Sequence, residues 1–238
     1  MFKTIISHFY NEEYLLPWWL EHHKKHFDFG LLINYASTDR SVEIIKDICP
    51  DWAIVDSINQ MFDAKLCDEE VMTYEQGLKG WKVAINVTEF LVGNFDIMND
   101  VADQEIKIPC VAMIDEDPSQ VPVYSKPLIE QKKFGIDFTR STIIRPPKIY
   151  RRPRCIHNKN NVKYNLGRHY TSYDTDQLKI LWYGYSPYTE QLKKRKLQIQ
   201  YKIPELDKMR GFGGEHLVNS NDLDLIYAHY KMQAYKIL

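Results

Sequence analysis

Lys82–Val92 reads KVAINVTEFLV, and the fold turns on how it is read. Val83, Ala84, Ile85 and Val87 make Lys82–Val87 an almost unbroken apolar run, which predicts a buried strand. Asn86, Thr88 and Glu89 then gather polar side chains at its C-terminal end. Two earlier segments share this design. Thr4–Ile6 leads to His8, Tyr10, Asn11 and Glu12, and Leu31–Ile33 leads to Asn34, Ser37, Thr38 and Asp39. In open α/β sheets, ligands bind beyond the carboxyl ends of the strands. The three polar clusters are therefore expected to converge on one site.

Outward from that stretch, the chain alternates. Phe2–Ile6 predicts a first, central strand. Leu16–Phe27 predicts a helix with Pro17 in its first turn, where a missing N–H costs nothing. The cluster His22, His23, Lys24, Lys25, His26 reads as the solvated end of that helix, where cations suit the dipole. Leu31–Asn34 follows as a strand. ASTDRS then turns into a helix over Val42–Cys49, for which Ser37 or Asp39 is the expected cap. Trp52–Asp56 is a third strand and Asp68–Leu78 a third helix, with Val71, Tyr74, Glu75 and Leu78 at helical spacing. This alternation predicts a doubly wound, mostly parallel sheet.

Beyond residue 92 the rhythm changes. Asn94–Gln104 reads as a short helix or loop. Ile108–Ile114 predicts a strand ending in Asp115, Glu116 and Asp117. Residues 118–165 are rich in Pro and basic residues, including RPPKIYRRPR at Arg145–Arg154, with short strands expected at Ile143–Ile144 and Lys148–Tyr150. With a net charge of -1, that basic run reads as a solvated segment rather than a nucleic-acid site. Leu178–Tyr183 predicts the last strand, and Tyr188–Gln200 and Asp222–Tyr235 predict helices. Between those helices MRGFGGEH offers glycines that either bring backbone close to a phosphate or form a turn. Its spacing matches neither a Walker loop nor a dinucleotide fingerprint.

The 238 residues suit one large α/β domain, with 1–95 as a nucleotide-binding half and 96–238 as acceptor-side and C-terminal elements. Cys49, Cys67, Cys110 and Cys155 are scattered without a CxxC, so neither a zinc site nor a disulfide framework is predicted. A reducing, cytoplasmic setting fits that usage. No signal pattern opens the sequence, and no apolar run approaches the ~20 residues of a membrane span. The expectation is a soluble protein.

HFYNEEYLLPWWLEHH, LLINYASTDRSVEII and WKVAINVTEFL together resemble the start of glycosyltransferase family 2-like proteins with the GT-A fold. Those proteins carry an Asn-Glu-Glu element, a strand ending in Asp-x-x-Ser-Thr-Asp, and a later strand ending in Asp-x-Asp-Glu-Phe. The likeness covers residues 1–95, with a less specific echo in SPYTEQLKKRK. The whole also resembles small glycosyltransferase domains of large DNA viruses of algae. The resemblance implies a single Rossmann-like domain and a nucleotide-sugar donor, usually a UDP-sugar. It also implies a divalent metal, Mn2+ or Mg2+, and a glycan or glycoprotein acceptor. Tyr10, Asn11 and Glu12 are then expected along the uridine, with His8 beside them and Asn34, Ser37 and Asp39 on the nucleoside. Asn86 and Thr88 stand at the two Asp positions of Asp-x-Asp, and Glu89 is the acid after it.

Asn86 and Thr88 depart from that pattern, because a divalent ion on a diphosphate wants anionic oxygens. A metal here would depend on Glu89, the diphosphate itself, water, or a later residue such as His169; weak metal binding, metal-independent transfer and loss of activity all remain open. Arg168, His169, Arg210, Gly213 and His216 are candidates to meet the diphosphate. An inverting transferase needs a carboxylate base, drawn from Glu89, Asp115 or Asp117. The competing readings are a non-catalytic sugar- or nucleotide-binding protein on the same fold and, on fold alone, a nucleotidyltransferase.

Overall fold

A computed structural model describes residues 1–99, 104–137, 153–160, 162–163 and 173–238. Its first half alternates β1 (Lys3–Phe9), α1 (Leu16–His23), β2 (Phe29–Asn34), α2 (Ser41–Ile48), β3 (Ala53–Asp56), α3 (Ala64–Gly77) and β4 (Trp81–Ala84). β1 pairs in parallel with both β2 and β4, and β2 pairs in parallel with β3. Successive side chains point to opposite faces. Ile5, Leu32 and Val83 join the core that contains Leu16, Trp19 and Leu20 of α1 and Ile45 of α2. Ile6, Leu31, Ile33 and Ala84 pack instead with Cys67 and Val71 of α3. A strand covered on both sides has no polar face, which is why these runs read as continuously apolar.

The second half adds β5 (Glu89–Gly93), β6 (Glu105–Ile108), β7 (Cys110–Ile114), α4 (Leu128–Gln131), β8 (Phe134–Ile136) and β9 (Arg154–His157). It closes with β10 (Leu178–Tyr185), α5 (Glu190–Gln198), α6 (Glu205–Met209), α7 (Ser220–Lys231) and β11 (Tyr235–Lys236). A six-stranded sheet runs β3-β2-β1-β4-β9-β6, and a five-stranded sheet runs β11-β8-β7-β10-β5. β9 is antiparallel to both β4 and β6. In the second sheet β7 and β10 are parallel, while the other pairs are antiparallel. The α/β class and the parallel first half are as expected, and the elaboration lies in this second sheet.

Several expected strands have different bounds: β1 runs on to Phe9 rather than ending at Ile6, and β2 starts at Phe29 rather than Leu31. Lys82–Val87 ends as a strand at Ala84. Asn86–Thr88 is the crossing from the first sheet to the second, closed by Glu89 N–H donating to Asn86 O at 2.8 Å. Ile108–Ile114 is two strands in different sheets, split at Pro109, whose missing N–H interrupts a ladder. β10 continues to Tyr185 and is followed by β11. Helix starts follow their caps. Asp63 accepts from Leu66 N–H, Thr189 from Leu192 N–H, and Asn219 and Asp222 form a reciprocal box that sets the start of α7 at Ser220.

The histidines of α1 are not a solvated cationic end. His23 is wholly buried; its Nδ1 donates to Trp19 O (2.9 Å), and its Nε2 accepts Leu91 N–H (3.2 Å). That pair of contacts requires the neutral ring. His22 Nε2 donates to Leu91 O at 2.6 Å, and burial pushes its pKa down to about 4. Both rings fasten α1 to β5. Among the described residues no helix is long and apolar enough to cross a membrane, and all four cysteines are buried. Ile143–Ile144 and Lys148–Tyr150 lie outside the described residues.

Candidate functional site

In the first sheet, β2 and β3 lie to one side of β1 and β4 to the other. Chain order reverses between β1 and β4, and such a switch point opens a crevice at the strands' carboxyl ends. A cavity of about 240 Å³ lies there, where the two sheets meet. His8 and Tyr10 border it from the end of β1, and Asn86, Val87 and Thr88 from the crossing after β4. Trp182 and Gly184 of β10, Arg195 and Lys196 of α5, and Phe212, Gly213 and His216 complete much of the wall. Gly213, at φ 68, and Gly211, at φ 77, hold a left-handed turn that other residues adopt poorly.

Part of the cavity lining is aromatic. Phe62 packs against Tyr10 (6.0 Å between ring centres), Tyr35 (4.8 Å) and His8 (6.2 Å), and Lys202 Nζ lies 4.6 Å over the Tyr10 ring. His8, Tyr10 and Phe62 all border the cavity. Rings so arranged suit stacking with a base or the apolar face of a sugar.

Arg154, Arg195 and Lys196 also line the cavity, together with the acids Glu12, Asp68 and Asp207. β9 runs antiparallel to β4 with Ile156 opposite Val83, so its first residue, Arg154, arrives at the carboxyl end of β4. Its Nη2 donates to Glu89 Oε1 (2.9 Å) and its Nε to Oε2 (3.1 Å), with side chains 2% and 0% exposed. Asn86 N–H also donates to Glu89 Oε2, at 2.8 Å. Arg195 forms a two-pronged pair with Glu12. Burial pushes the Glu12 carboxyl up, against the pull of Arg195. Lys196 Nζ sits 4.0 Å over the Tyr185 ring.

Asn11, Asn34, Ser37 and Asp39 stand behind this wall and fasten its loops. Asn11 holds a left-handed φ of 50, which Asn tolerates. Its N–H donates to Ser37 Oγ (3.1 Å), its Oδ1 accepts Thr38 N–H (2.7 Å), and its Nδ2 donates to Gln198 Oε1 (3.1 Å). Asn34 Oδ1 accepts Ser37 N–H and its Nδ2 donates to Asp56. Asp39 accepts Glu13 N–H (2.9 Å) and, at the start of α2, Ser41 N–H (3.0 Å). Arg40 is the N-cap residue of α2 and makes no side-chain cap bond; Asp39, one residue earlier, supports the helix start only through Ser41 N–H.

Of the expected site residues, His8, Tyr10, Glu12, Asn86, Thr88, Gly213 and His216 border the cavity. Arg210 is exposed and does not. Glu89, expected to hold metal or act as base, lies beneath the wall with both carboxylate oxygens on Arg154. Asp115 is buried elsewhere, bonded to Ser186 Oγ (2.5 Å), Tyr188 N–H (2.6 Å) and Lys132 Nζ (3.3 Å). Asp117 borders a separate depression with Glu116, Lys132 and Lys133. Neither Asp115 nor Asp117 reaches the cavity expected to need a base. Arg168 and His169 lie outside the described residues.

Sequence reading missed Phe62, Asp68, Trp182, Arg195, Lys196 and Asp207 on the wall, and it misassigned Arg154. Arg154 closes the basic run read as solvated, yet it is buried. Its apolar successors Cys155 and Ile156 were the available signal.

Of the expected metal donors Glu89 and His169, only Glu89 is among the described residues. Asn86 and Thr88 offer neutral oxygens, and Glu89 is engaged by a guanidinium. Among those residues no group of three or more His, Cys, Asp or Glu could hold an ion.

No protein-family model and no curated protein matches the chain. Solved structures of TarS from S. aureus resemble it at low similarity. TarS 1-349 aligns at TM-score 0.37 and 12% identity, over 100% of this chain and 57% of TarS 1-349. TarS 1-349 in complex with UDP-GlcNAc aligns at TM-score 0.32 and 14% identity, over 52% of this chain and 37% of that one. The chain thus spans less than two thirds of either neighbour, and the scores are too low to transfer fold or function.

Proposed function

We propose that this protein binds a nucleoside-diphosphate sugar in the cavity and transfers the sugar to a glycan or glycoprotein hydroxyl. One observation carries the reading: the switch point between β1 and β4 holds a cavity lined both by aromatic rings and by Arg154, Arg195 and Lys196, with Glu12, Asp68 and Asp207 among them. A nucleotide sugar has matching parts, a flat base and an anionic diphosphate. The resemblance favours uridine as the base. In transfer, the bond from sugar C1 to the diphosphate breaks, a bond from C1 to the acceptor oxygen forms, and the acceptor proton passes to a base. If the enzyme inverts, that base is drawn from Asp68 and Asp207, which border the cavity, rather than Glu12, which Arg195 holds.

A melting-shift screen of UDP-, GDP- and ADP-sugars tests binding, and release of the free nucleoside diphosphate on incubation tests chemistry. A shift with at least one donor and slow donor hydrolysis are expected. No shift with any donor would sink the reading. A shift without hydrolysis or transfer would favour the non-catalytic binder, the second reading, which the neutral Asn86 and Thr88 support.

A further inference from the structure

We propose, building on the nucleoside-diphosphate reading above, that Arg154 held by Glu89 does the work of a divalent cation, so the cavity grips a pyrophosphate without metal. A diphosphate brought into a partly dry site needs positive charge opposite it. The loop where a metal would be held, between β4 and β5, presents neutral Asn86 and Thr88 to the cavity. Its one acid, Glu89, turns away from any ion and onto Arg154 through Nε and Nη2.

The pair is costly to bury, and apolar residues of similar volume commonly stabilise as well or better. Its placement explains the expense: Arg154 is both fixed from beneath and part of the cavity wall. A guanidinium is permanently charged and matches phosphate oxygens with a planar fork of donors. Glu89 is then a positioning residue that sets the angle of that fork. Arg195, anchored on Glu12 in the same way, and Lys196 beside it supply further positive charge on the adjoining wall. Two arginines, each aimed by its own buried carboxylate, make a rigid anion site that needs no exchangeable ion.

The test is calorimetric titration of the full chain with UDP, inorganic pyrophosphate and uridine, first in EDTA and then with Mn2+. UDP and pyrophosphate are expected to bind in EDTA with affinity that Mn2+ does not raise. The double variant Glu89→Gln/Arg154→Gln removes both charges together and leaves no lone buried ion. It is expected to weaken UDP and pyrophosphate by about tenfold or more, the loss of charge-assisted hydrogen bonds, while uridine binding stays unchanged. UDP binding that vanishes in EDTA and returns with Mn2+ would overturn the proposal and leave the donor reading intact. Wild-type affinity in the folded double variant would overturn it too. Should that variant not fold, the EDTA and Mn2+ titrations of the wild type decide alone. Absence of binding to all three ligands in both buffers would overturn this proposal and the donor reading together.

Discussion

Glu89 and Asp115 are alike in type and burial but not in what surrounds them. Both carboxylates are fully shielded, at 0% side-chain exposure, and each stands beside a strand end. Glu89 engages a cation that itself borders the cavity. Asp115 is consumed by two segments of its own chain: Ser186 and Tyr188 after β10, and Lys132 after α4. It ties the end of β7 to the start of the α5 region. A polar cluster beyond a strand is therefore either a ligand wall or an internal tie, and the strand alone does not say which. The distinguishing feature is where the carboxylate's partner stands.

Removing either acid should be severe, and the ligand should tell them apart. Asp115→Ala removes the counter-charge of Lys132, only 6% exposed, leaving its Nζ on Gln120 O, and is expected to cost roughly 3–5 kcal/mol. Glu89→Ala removes the carboxylate paired with Arg154 and is expected to cost a similar ~3–5 kcal/mol. In urea unfolding with saturating pyrophosphate, Glu89→Ala should recover part of its loss, because the anion partners the guanidinium. Asp115→Ala should gain no more than the wild type gains. Equal recovery in both variants would erase the contrast.

The sequence exposes the half of the fold in which every strand is covered on both faces. Thr4–Ile6, Leu31–Ile33 and Val83–Ala84 read as strands because helices on both sides leave no polar position. An apolar run does not say which sheet it joins, so the change of sheet at Pro109 and at Asn86–Thr88 stayed hidden. The loops after β1, β2 and β4 were legible as polar clusters, but their division of labour was not. His8, Tyr10, Glu12, Asn86 and Thr88 border the cavity, while Asn11, Asn34, Ser37 and Asp39 spend their hydrogen bonds on each other, the backbone and Gln198. The basic residues of the lining were least legible. Arg195 meets Glu12 across 183 positions, and Arg154 arrives on an antiparallel strand whose cavity end is its first residue rather than its last.

A third buried cluster, His22 with His23, sharpens the comparison by carrying no charge. His22 binds a proton when unfolded near pH 6.5 but only at about 4 when folded. The unfolded chain therefore holds more protons between those values, and stability falls as pH drops through that window. The loss attributable to His22 is on the order of 3 kcal/mol by pH 4. Glu12, whose carboxyl is pushed up by burial, works in the opposite direction, so the measurement is a difference between chains. His22→Gln keeps a donor for Leu91 O and cannot titrate. Its stability should depend less on pH between 6.5 and 4 than the wild type's, and parallel pH profiles would remove His22 from the account.

Asp117 sets the lower bound of the comparison. It lies two residues beyond Asp115 in the same acidic run, but it is solvent-facing. Ser119 donates to it through N–H (2.9 Å) and Oγ (2.7 Å), and those bonds hold its carboxyl below the usual range. Asp117→Asn preserves an acceptor for both donors and removes only the charge. Melting temperature, pyrophosphate affinity and the rate of donor hydrolysis are all expected to match the wild type. A fall in hydrolysis at unchanged stability and affinity would bring Asp117 back as a base. The depression it shares with Glu116, Lys132 and Lys133 would then take over as the reacting site. Asp115 would then be the support beneath that site rather than an internal tie, and its likeness to Glu89 would be closer than the present geometry makes it.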